Sequence, residues 1–167
     1  GGVEKNLYKK KNNFAKKIKN TNLITSSVNF NNNFKNIKII NPRFKIWNKL
    51  GIRFNYLICL LILIREIINK KKPLVFAFQA NIYCILVCKL LNVKIVTRSN
   101  SSPSGWTQNS IKNFIFKKIF LISDKIIVNS IEFQKEFRKK FNVETICIYN
   151  PLNKKEILNK SKNSINL

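Results

Sequence analysis

Five short polar runs carry the groups best suited to bind a ligand. One opens the chain and the others follow apolar segments: Gly1-Gly2, Gln79-Ala80-Asn81, Arg98-Ser99-Asn100, Asn129-Ser130 and Asn150-Pro151. The set is neutral apart from one cation, Arg98, and holds no pair of carboxylates, which disfavours a two-carboxylate hydrolase. Gly1-Gly2 ahead of a helical pattern fits either an ordinary tight turn or the close approach of a diphosphate to a helix N-terminus.

The residue types that are missing exclude several kinds of site. The chain has no His, which rules out Ser-His-Asp triads and most zinc sites. It has no G-x-x-x-x-G-K-[ST] segment, so it is not a P-loop protein. The cysteines, at positions 59, 84, 88 and 147, form no C-x-x-C pair. We interpret them as small buried residues of a reducing cytosol, with a metal or redox pair at Cys84 and Cys88 as the alternative.

The charge balance is strongly basic, because 32 Lys and Arg residues stand against 7 acidic ones and give a net charge of +25. This charge favours anionic partners, namely nucleic acid, anionic lipid headgroups or phosphorylated substrates, and does not select among them. Compositional drift is the alternative, because Lys, Asn and Ile are abundant together. The 167 residues suit one domain, and 45% hydrophobic residues suffice for its core. No signal peptide is visible, and the most apolar stretch, 56–64, is shorter than the ~20 residues of a membrane span.

Apolar periodicity predicts alternating helices and strands. The predicted strands cover 22–28, 36–40, 74–78, 93–97, 125–128 and 144–149. The predicted helices cover 3–18, 50–72, 82–91, 109–122 and the segment after Asn129. Such alternation predicts an α/β fold with a doubly wound parallel sheet. Ligands of these sheets bind beyond the carboxyl ends of the strands, which is where the polar runs fall.

The same periodicity predicts which helix faces are buried. Helix 50–72 has apolar residues at 50, 54, 57, 61, 64 and 68, and helix 109–122 is predicted to point Ile111, Phe114, Ile115, Ile119 and Ile122 inward. In the last helix, Asn129 is predicted to be the N-cap with Glu132 as its capping-box partner. Its buried stripe is predicted to be Phe133, Phe137 and Phe141.

Several motifs together resemble one family. GGVEKNL resembles the G-G-x-E-R opening of family 4 glycosyltransferases of the GT-B fold, with Lys5 where Arg is usual. The segment 72–106 is similar to the middle of their N-terminal domain, most of all in members that build cell-envelope oligosaccharides on polyprenyl diphosphate. The segment 123–151 resembles that family's D-x-I-x-x-N-S strand and helix, followed by the strand that leads to its Y-N-P hinge.

This resemblance implies a Rossmann-like acceptor-binding domain over 1–151, without its first strand, and the start of the interdomain hinge over 152–167. The implied activity is retaining transfer of a sugar from a nucleotide-sugar to a polyprenyl-diphosphate-linked or other cell-envelope glycan, such as lipopolysaccharide. It implies no cofactor and no metal, with the donor bound mainly by a C-terminal domain that this sequence lacks, so the chain alone is expected to be inactive. The implied location is cytoplasmic, on the inner face of the plasma membrane.

The resemblance also assigns roles to the polar runs. The amides of Gly1 and Gly2 would face the donor diphosphate, and Arg98 would contact a phosphate of acceptor or donor. The implied acceptor and cleft contacts are Gln79, Asn81, Ser99, Asn100 and Ser102, and the implied hinge is Asn150 and Pro151. The alternative for Arg98 is a structural cation that bonds loop carbonyls; for the Asn and Ser residues it is loop-turn chemistry or helix capping.

One segment has the composition of a membrane-surface contact. In 42–54, PRFKIWNKLGIRF, cations interleave with aromatic and aliphatic residues, and the predicted contacts are Arg43, Phe44, Lys45, Trp47, Lys49 and Arg53. We expect binding to anionic vesicles that is weakened by salt and by Trp47→Ala. The alternative is an ordinary helix entry with a buried Trp47.

Two other functions are the alternatives: a basic nucleic-acid-binding module, and a non-catalytic sugar- or nucleotide-binding domain of related fold. A further expectation follows from the family's sheet order, which places its first strand between the strands at 22–28 and 74–78. Without that strand these two either pair directly or leave a slot between them. We expect the chain to be marginally stable, and about six apolar residues added before Gly1 to raise its melting temperature.

Overall fold

Helices and strands alternate through the part of the chain that the computed structural model describes, which is residues 21–25, 37–42, 51–70 and 73–150. The strands are β1 (Thr21–Ile24), β2 (Ile37–Ile40), β3 (Val75–Ala77), β4 (Ile95–Ser99), β5 (Lys125–Val128) and β6 (Ile146–Cys147). The helices are α1 (Ile52–Asn69), α2 (Asn81–Leu90), α3 (Ser110–Leu121) and α4 (Ile131–Phe141), and a 3-10 turn covers Pro103–Gly105. The helix predicted over 3–18 lies outside the described residues.

All strand pairs of the two sheets are parallel. β1 pairs with β2, and the second sheet has the order β3-β4-β5-β6. The predicted α/β fold with parallel strands and a Rossmann-like alternation of helix and strand is therefore confirmed. β1 and β3 belong to different sheets, so of the two arrangements expected for these strands, direct pairing does not occur among the described residues.

The helices form a layer on the larger sheet. Because that sheet follows chain order and parallel crossovers are right-handed, α2, α3 and α4 lie on the same face of it. Contacts of α2 with α3, and of α3 with α4, agree with this placement, and α1 contacts α2 and β1. Because β3 to β6 are parallel, their carboxyl ends lie at one edge of the sheet.

The core lies between this helical layer and the sheet. Ile85 and Cys88 of α2 and Ile95 and Val128 of the sheet are fully buried. An aromatic cluster fills the end nearest α4, and its members are Trp106, Phe116, Phe120, Phe137 and Phe141. Trp106 is contributed by the loop after β4, so this cluster fixes that loop to the helices.

The predicted inward face of α3 is wrong. Ile111, Phe114, Ile115 and Ile122 are exposed, and only Ile119 of the predicted set is buried. The face that packs on the core instead contains Phe116 and Phe120, which contact Trp106. The helix is apolar on more than one face, so a period of 3.6 residues identifies a stripe without deciding which stripe the core covers.

The predicted buried face of α1 is wrong for the same reason. Phe54, Leu57, Leu61 and Ile68 are exposed, and Ile64 is half-buried. The core instead takes Ile67, which is buried, and Leu63, which packs against the buried cluster. Leu50 lies outside the described residues.

The N-cap of α4 also differs from the prediction. The helix begins one residue later than Asn129 would require, and Ser130 is the cap, because its Oγ accepts a hydrogen bond from the Phe133 N–H at 3.2 Å. The helix ends at Phe141, and its C-cap, Asn142, adopts the left-handed conformation with a φ of 54°. Its predicted stripe is confirmed for Phe137 and Phe141, which are fully buried, whereas Phe133 is half-buried.

The thiols behave as packing residues. All four are free, but the prediction that all are buried holds only for Cys88, whereas Cys59, Cys84 and Cys147 are half-buried. Burial raises the pKa of Cys84 to about 12 and that of Cys88 to about 11, so both remain protonated at neutral pH and are poor nucleophiles and metal ligands. Among the described residues, no group of three or more His, Cys, Asp or Glu residues could hold a metal ion.

Asp124, the residue just before β5, links β5 to α2 and β4. Its Oδ2 accepts hydrogen bonds from Lys89 Nζ of α2 at 2.6 Å and from the Ile95 N–H of β4 at 2.8 Å. The bond from Lys89 is the main reason that the pKa of Asp124 lies below its ordinary value. The carboxylate therefore fixes the start of β4, and with it the position of Arg98 further along the strand.

Candidate functional site

The carboxyl edge of the larger sheet brings several predicted residues together. Asn81, at the start of α2, donates from Nδ2 to the Arg98 carbonyl oxygen at 3.0 Å, which links the ends of β3 and β4. Arg98 Nε donates to Asn100 Oδ1 at 3.2 Å. Arg98 Nη2 donates to Asn150 Oδ1 at 2.9 Å and to the Ile148 carbonyl oxygen at 3.0 Å, beyond the end of β6. Arg98 thus links residues that follow β3, β4 and β6 at this edge.

Arg98 is a buried cation whose hydrogen bonds to the described residues are all to neutral oxygens. Only 3% of the residue is exposed. Burial lowers its pKa, but an arginine starts so far above neutral pH that it keeps its charge. Nη1 forms no hydrogen bond with any residue that the structure describes. A desolvated positive charge without a carboxylate partner is costly, and an anionic ligand would offset that cost.

Two buried amide oxygens at the same edge also lack donors. Among the residues that the structure describes, no donor reaches Asn81 Oδ1 or Asn129 Oδ1. The predicted capping roles do not account for them, since Ala80 occupies the N-cap position of α2 and Ser130 caps α4. The same lack of a donor occurs at Thr97 Oγ1, at Thr145 Oγ1 and at three further asparagine amide oxygens of the described residues, so it is not confined to this edge.

The remaining predicted residues of this edge have structural partners or are exposed. Ser99 is buried, and its Oγ donates to the Ser101 carbonyl oxygen at 3.0 Å, which shapes the loop. Gln79 is exposed at the end of β3. Asn150 is the Arg98 partner described above. Gly1, Gly2 and Pro151 lie outside the described residues.

Ser102 is held against α4. Its Oγ donates to a carboxylate oxygen of Glu136, and it caps the 3-10 turn by accepting from the Ser104 N–H at 3.2 Å. Lys140, one turn further along α4, donates to the carbonyl oxygens of Pro103 at 2.8 Å and Thr107 at 3.0 Å. Sequence reasoning missed Glu136 and Lys140 as residues that position the loop. Their spacing of four residues on one helix face was the available signal, but it did not identify the loop as their partner.

A surface depression at the other edge of the sheet is a separate feature. It is lined by Pro73, Leu74, Asn92, Val93 and Lys94, which lie at the starts of β3 and β4. It is therefore remote from Arg98 and from the unpaired amide oxygens.

Of the predicted membrane contacts, the structure describes one. Arg53 lies exposed in the first turn of α1, whereas Arg43, Phe44, Lys45, Trp47 and Lys49 lie outside the described residues. None of the described helices combines the length and the apolar character needed to cross a bilayer.

No protein-family model matches this sequence, and no curated protein is similar enough to it to indicate a relative. The geometry of the carboxyl edge, together with the motifs of the sequence, is therefore the basis for a functional proposal.

Proposed function

We propose that the chain is the acceptor-binding half of a retaining glycosyltransferase with a GT-B arrangement. The proposed acceptor is a polyprenyl-diphosphate-linked or other cell-envelope glycan, and the donor is a nucleotide-sugar. The observation that carries this proposal is Arg98, a buried cation at the ligand-binding edge of a parallel sheet that has no carboxylate partner among the described residues. The motifs that resemble family 4 glycosyltransferases support the same assignment.

In this proposal Arg98 binds a phosphate of the acceptor. Nε and Nη2 are already bonded to Asn100, Ile148 and Asn150, so the guanidinium is fixed before a ligand arrives, and little side-chain entropy remains to be lost on binding. Nη1 is the nitrogen that would donate to the phosphate. A fixed planar guanidinium suits phosphate oxygens in a defined orientation.

The amide oxygens of Asn81 and Asn129 are proposed to accept hydrogen bonds from acceptor hydroxyls. Their position at the carboxyl edge of a parallel sheet supports this role. Gly1 and Gly2 are proposed to face the donor diphosphate, and Ser99, Asn100 and Gln79 to shape the edge. The proposed location is peripheral, at the inner face of the plasma membrane, where a polyprenyl-linked acceptor resides.

Sugar transfer tests this proposal in a longer protein that also carries a donor-binding half. Arg98→Ala should lower turnover at least tenfold while the protein stays folded, because the phosphate loses its fixed donor. Arg98→Lys should restore only part of the rate, since an ammonium lacks the planar fork.

Wild-type turnover in the Arg98→Ala variant would show that Arg98 is only a structural cation. Absence of transfer, together with sequence-selective binding of a nucleic acid, would favour the basic nucleic-acid-binding module. Salt-sensitive binding of generic DNA would not, because a net charge of +25 produces it in any case. Saturable binding of a sugar or nucleotide without transfer would favour the non-catalytic domain.

A further inference from the structure

The outer face of α1 carries an apolar stripe made of Phe54, Leu57, Leu61 and Ile68. These side chains are 49%, 53%, 57% and 70% exposed. At 3.6 residues per turn they fall within roughly 60° of one another around the helix and extend over about 21 Å along it. Single exposed leucines are ordinary on protein surfaces, but an aligned row of four large apolar residues needs an explanation.

The opposite side of α1 already makes the contacts that attach it to the fold. Ile67 is buried and Leu63 packs against the core. Glu66 also lies opposite the stripe, where its Oε2 accepts a hydrogen bond from Asn22 Nδ2 of β1 at 2.6 Å. α1 therefore has two apolar faces: one packs against the core, and the other, the stripe, is exposed.

The charges beside the stripe are positive. Arg53 and Arg65 are both exposed, and helical spacing places them on the two sides of the stripe. Glu66 is the acidic residue of α1, only 17% of its side chain is exposed, and its Oε1 is 3.4 Å from Arg65 Nη2. An apolar row with arginines at its borders has the composition of a helix that lies in the interface of an anionic membrane.

We propose that the apolar stripe of α1 docks onto an anionic lipid bilayer, with α1 lying in the plane of the headgroups. Charge complementarity selects this occupant: Arg53 and Arg65 would meet lipid phosphates while the stripe enters the acyl boundary. A second copy of the chain is a poorer occupant, because it would bring arginines against arginines with no acid on that face.

This surface deepens the proposed peripheral location and does not use Arg98. The membrane proposal and the proposed function therefore depend on different residues, and an experiment can contradict one of them without contradicting the other. It also extends the segment 42–54 predicted from sequence, with Arg53 common to both.

Sedimentation of the chain with lipid vesicles tests the proposal. The vesicles are phosphatidylcholine alone, or phosphatidylcholine with phosphatidylglycerol. The double variant L57S/L61S should bind the anionic vesicles at least tenfold more weakly than the unsubstituted chain. The variant R53Q/R65Q should lose about fivefold per arginine on anionic vesicles only, the factor that corresponds to about 1 kcal/mol per cation.

The matched control is F114S/I115S, which removes two exposed apolar side chains from α3. It should retain binding, and circular dichroism should show that all variants are folded. Equal vesicle binding by L57S/L61S and the unsubstituted chain would overturn the proposal, as would an equal loss in the control. A monomer–dimer equilibrium abolished by L57S/L61S, without vesicle binding, would instead assign the stripe to a second copy.

Discussion

Phe137→Ala is expected to lower the free energy of unfolding by about 4 kcal/mol, a loss typical of a large aromatic residue in a core. Phe137 is fully buried. Its ring lies 5.3 Å from that of Phe120, 5.7 Å from that of Trp106 and 5.7 Å from that of Phe141, measured between centroids. Alanine would leave a cavity where helices and the loop after β4 meet.

The matched variant is Phe114→Ala, which removes the same side chain from a position that is 60% exposed. It should change the free energy of unfolding by less than about 0.5 kcal/mol. Urea unfolding followed by circular dichroism measures both. Phe137→Leu keeps most of the volume, and should remain folded and measurable if the alanine variant does not. Equal costs for Phe114 and Phe137 would contradict the observed orientation of α3 and restore the face predicted from sequence.

Arg98→Gln is expected to weaken the binding of inorganic pyrophosphate at least tenfold. The glutamine side chain has no charge, whereas Arg98 offers a buried guanidinium that the neighbouring oxygens hold in place. The control is Arg65→Gln, which removes the same charge from an exposed position. Isothermal titration calorimetry at physiological salt measures both affinities, and Arg98→Lys should be intermediate.

The control separates a built anion site from the general attraction of a chain with a net charge of +25. Arg65→Gln should change the affinity less than twofold, because screened surface charges contribute little individually. If both glutamine variants bind pyrophosphate with the affinity of the unsubstituted chain, Arg98 does not bind anions. Its role is then only structural, to link the ends of β4 and β6 by hydrogen bonds. Melting temperatures of both variants show whether the protein remains folded during the titration.

The order of the elements was predictable from sequence because buried strands and their breakers leave strong local signals. β5 occupies Lys125–Val128 as predicted, and α3 lies within one residue of its predicted bounds at each end. The short β6 was predicted to be longer. Its last backbone bond to β5 is from the Ile148 N–H to the Val128 carbonyl oxygen at 2.9 Å, and the Ile148 carbonyl oxygen accepts from Arg98.

The buried faces of α1 and α3 were not predictable, because both helices carry apolar residues on more than one face. In α1, Leu61 and Leu63 are the same residue type and both have aliphatic neighbours, yet Leu63 packs on the core and Leu61 is exposed. Only the positions of β1, α2 and the sheet decide between them. Periodicity therefore locates these helices in the sequence but does not show which of their faces is buried.

The candidate site was predictable in its position and not in its contacts. The rule for parallel sheets places Arg98 and Asn81 at the ligand-binding edge. No local pattern shows that Arg98 bonds to Asn150, which lies 52 residues along the chain, or that Ser102 is held by Glu136 of α4. Contacts of this kind depend on how the elements pack.

Photocrosslinking of a polyprenyl-diphosphate-linked sugar to the chain tests the proposed acceptor site most directly. With a photoreactive group on the sugar, labelled peptides should contain residues 79–81, 98–100 or 129–130, which lie at the carboxyl edge of the sheet. Excess pyrophosphate and Arg98→Gln should each suppress the labelling, whereas Arg138→Gln, which removes an exposed charge from α4, should not. Labelling confined to α1, or labelling of the carboxyl edge that persists unchanged in Arg98→Gln, would contradict the proposal that Arg98 holds the acceptor phosphate.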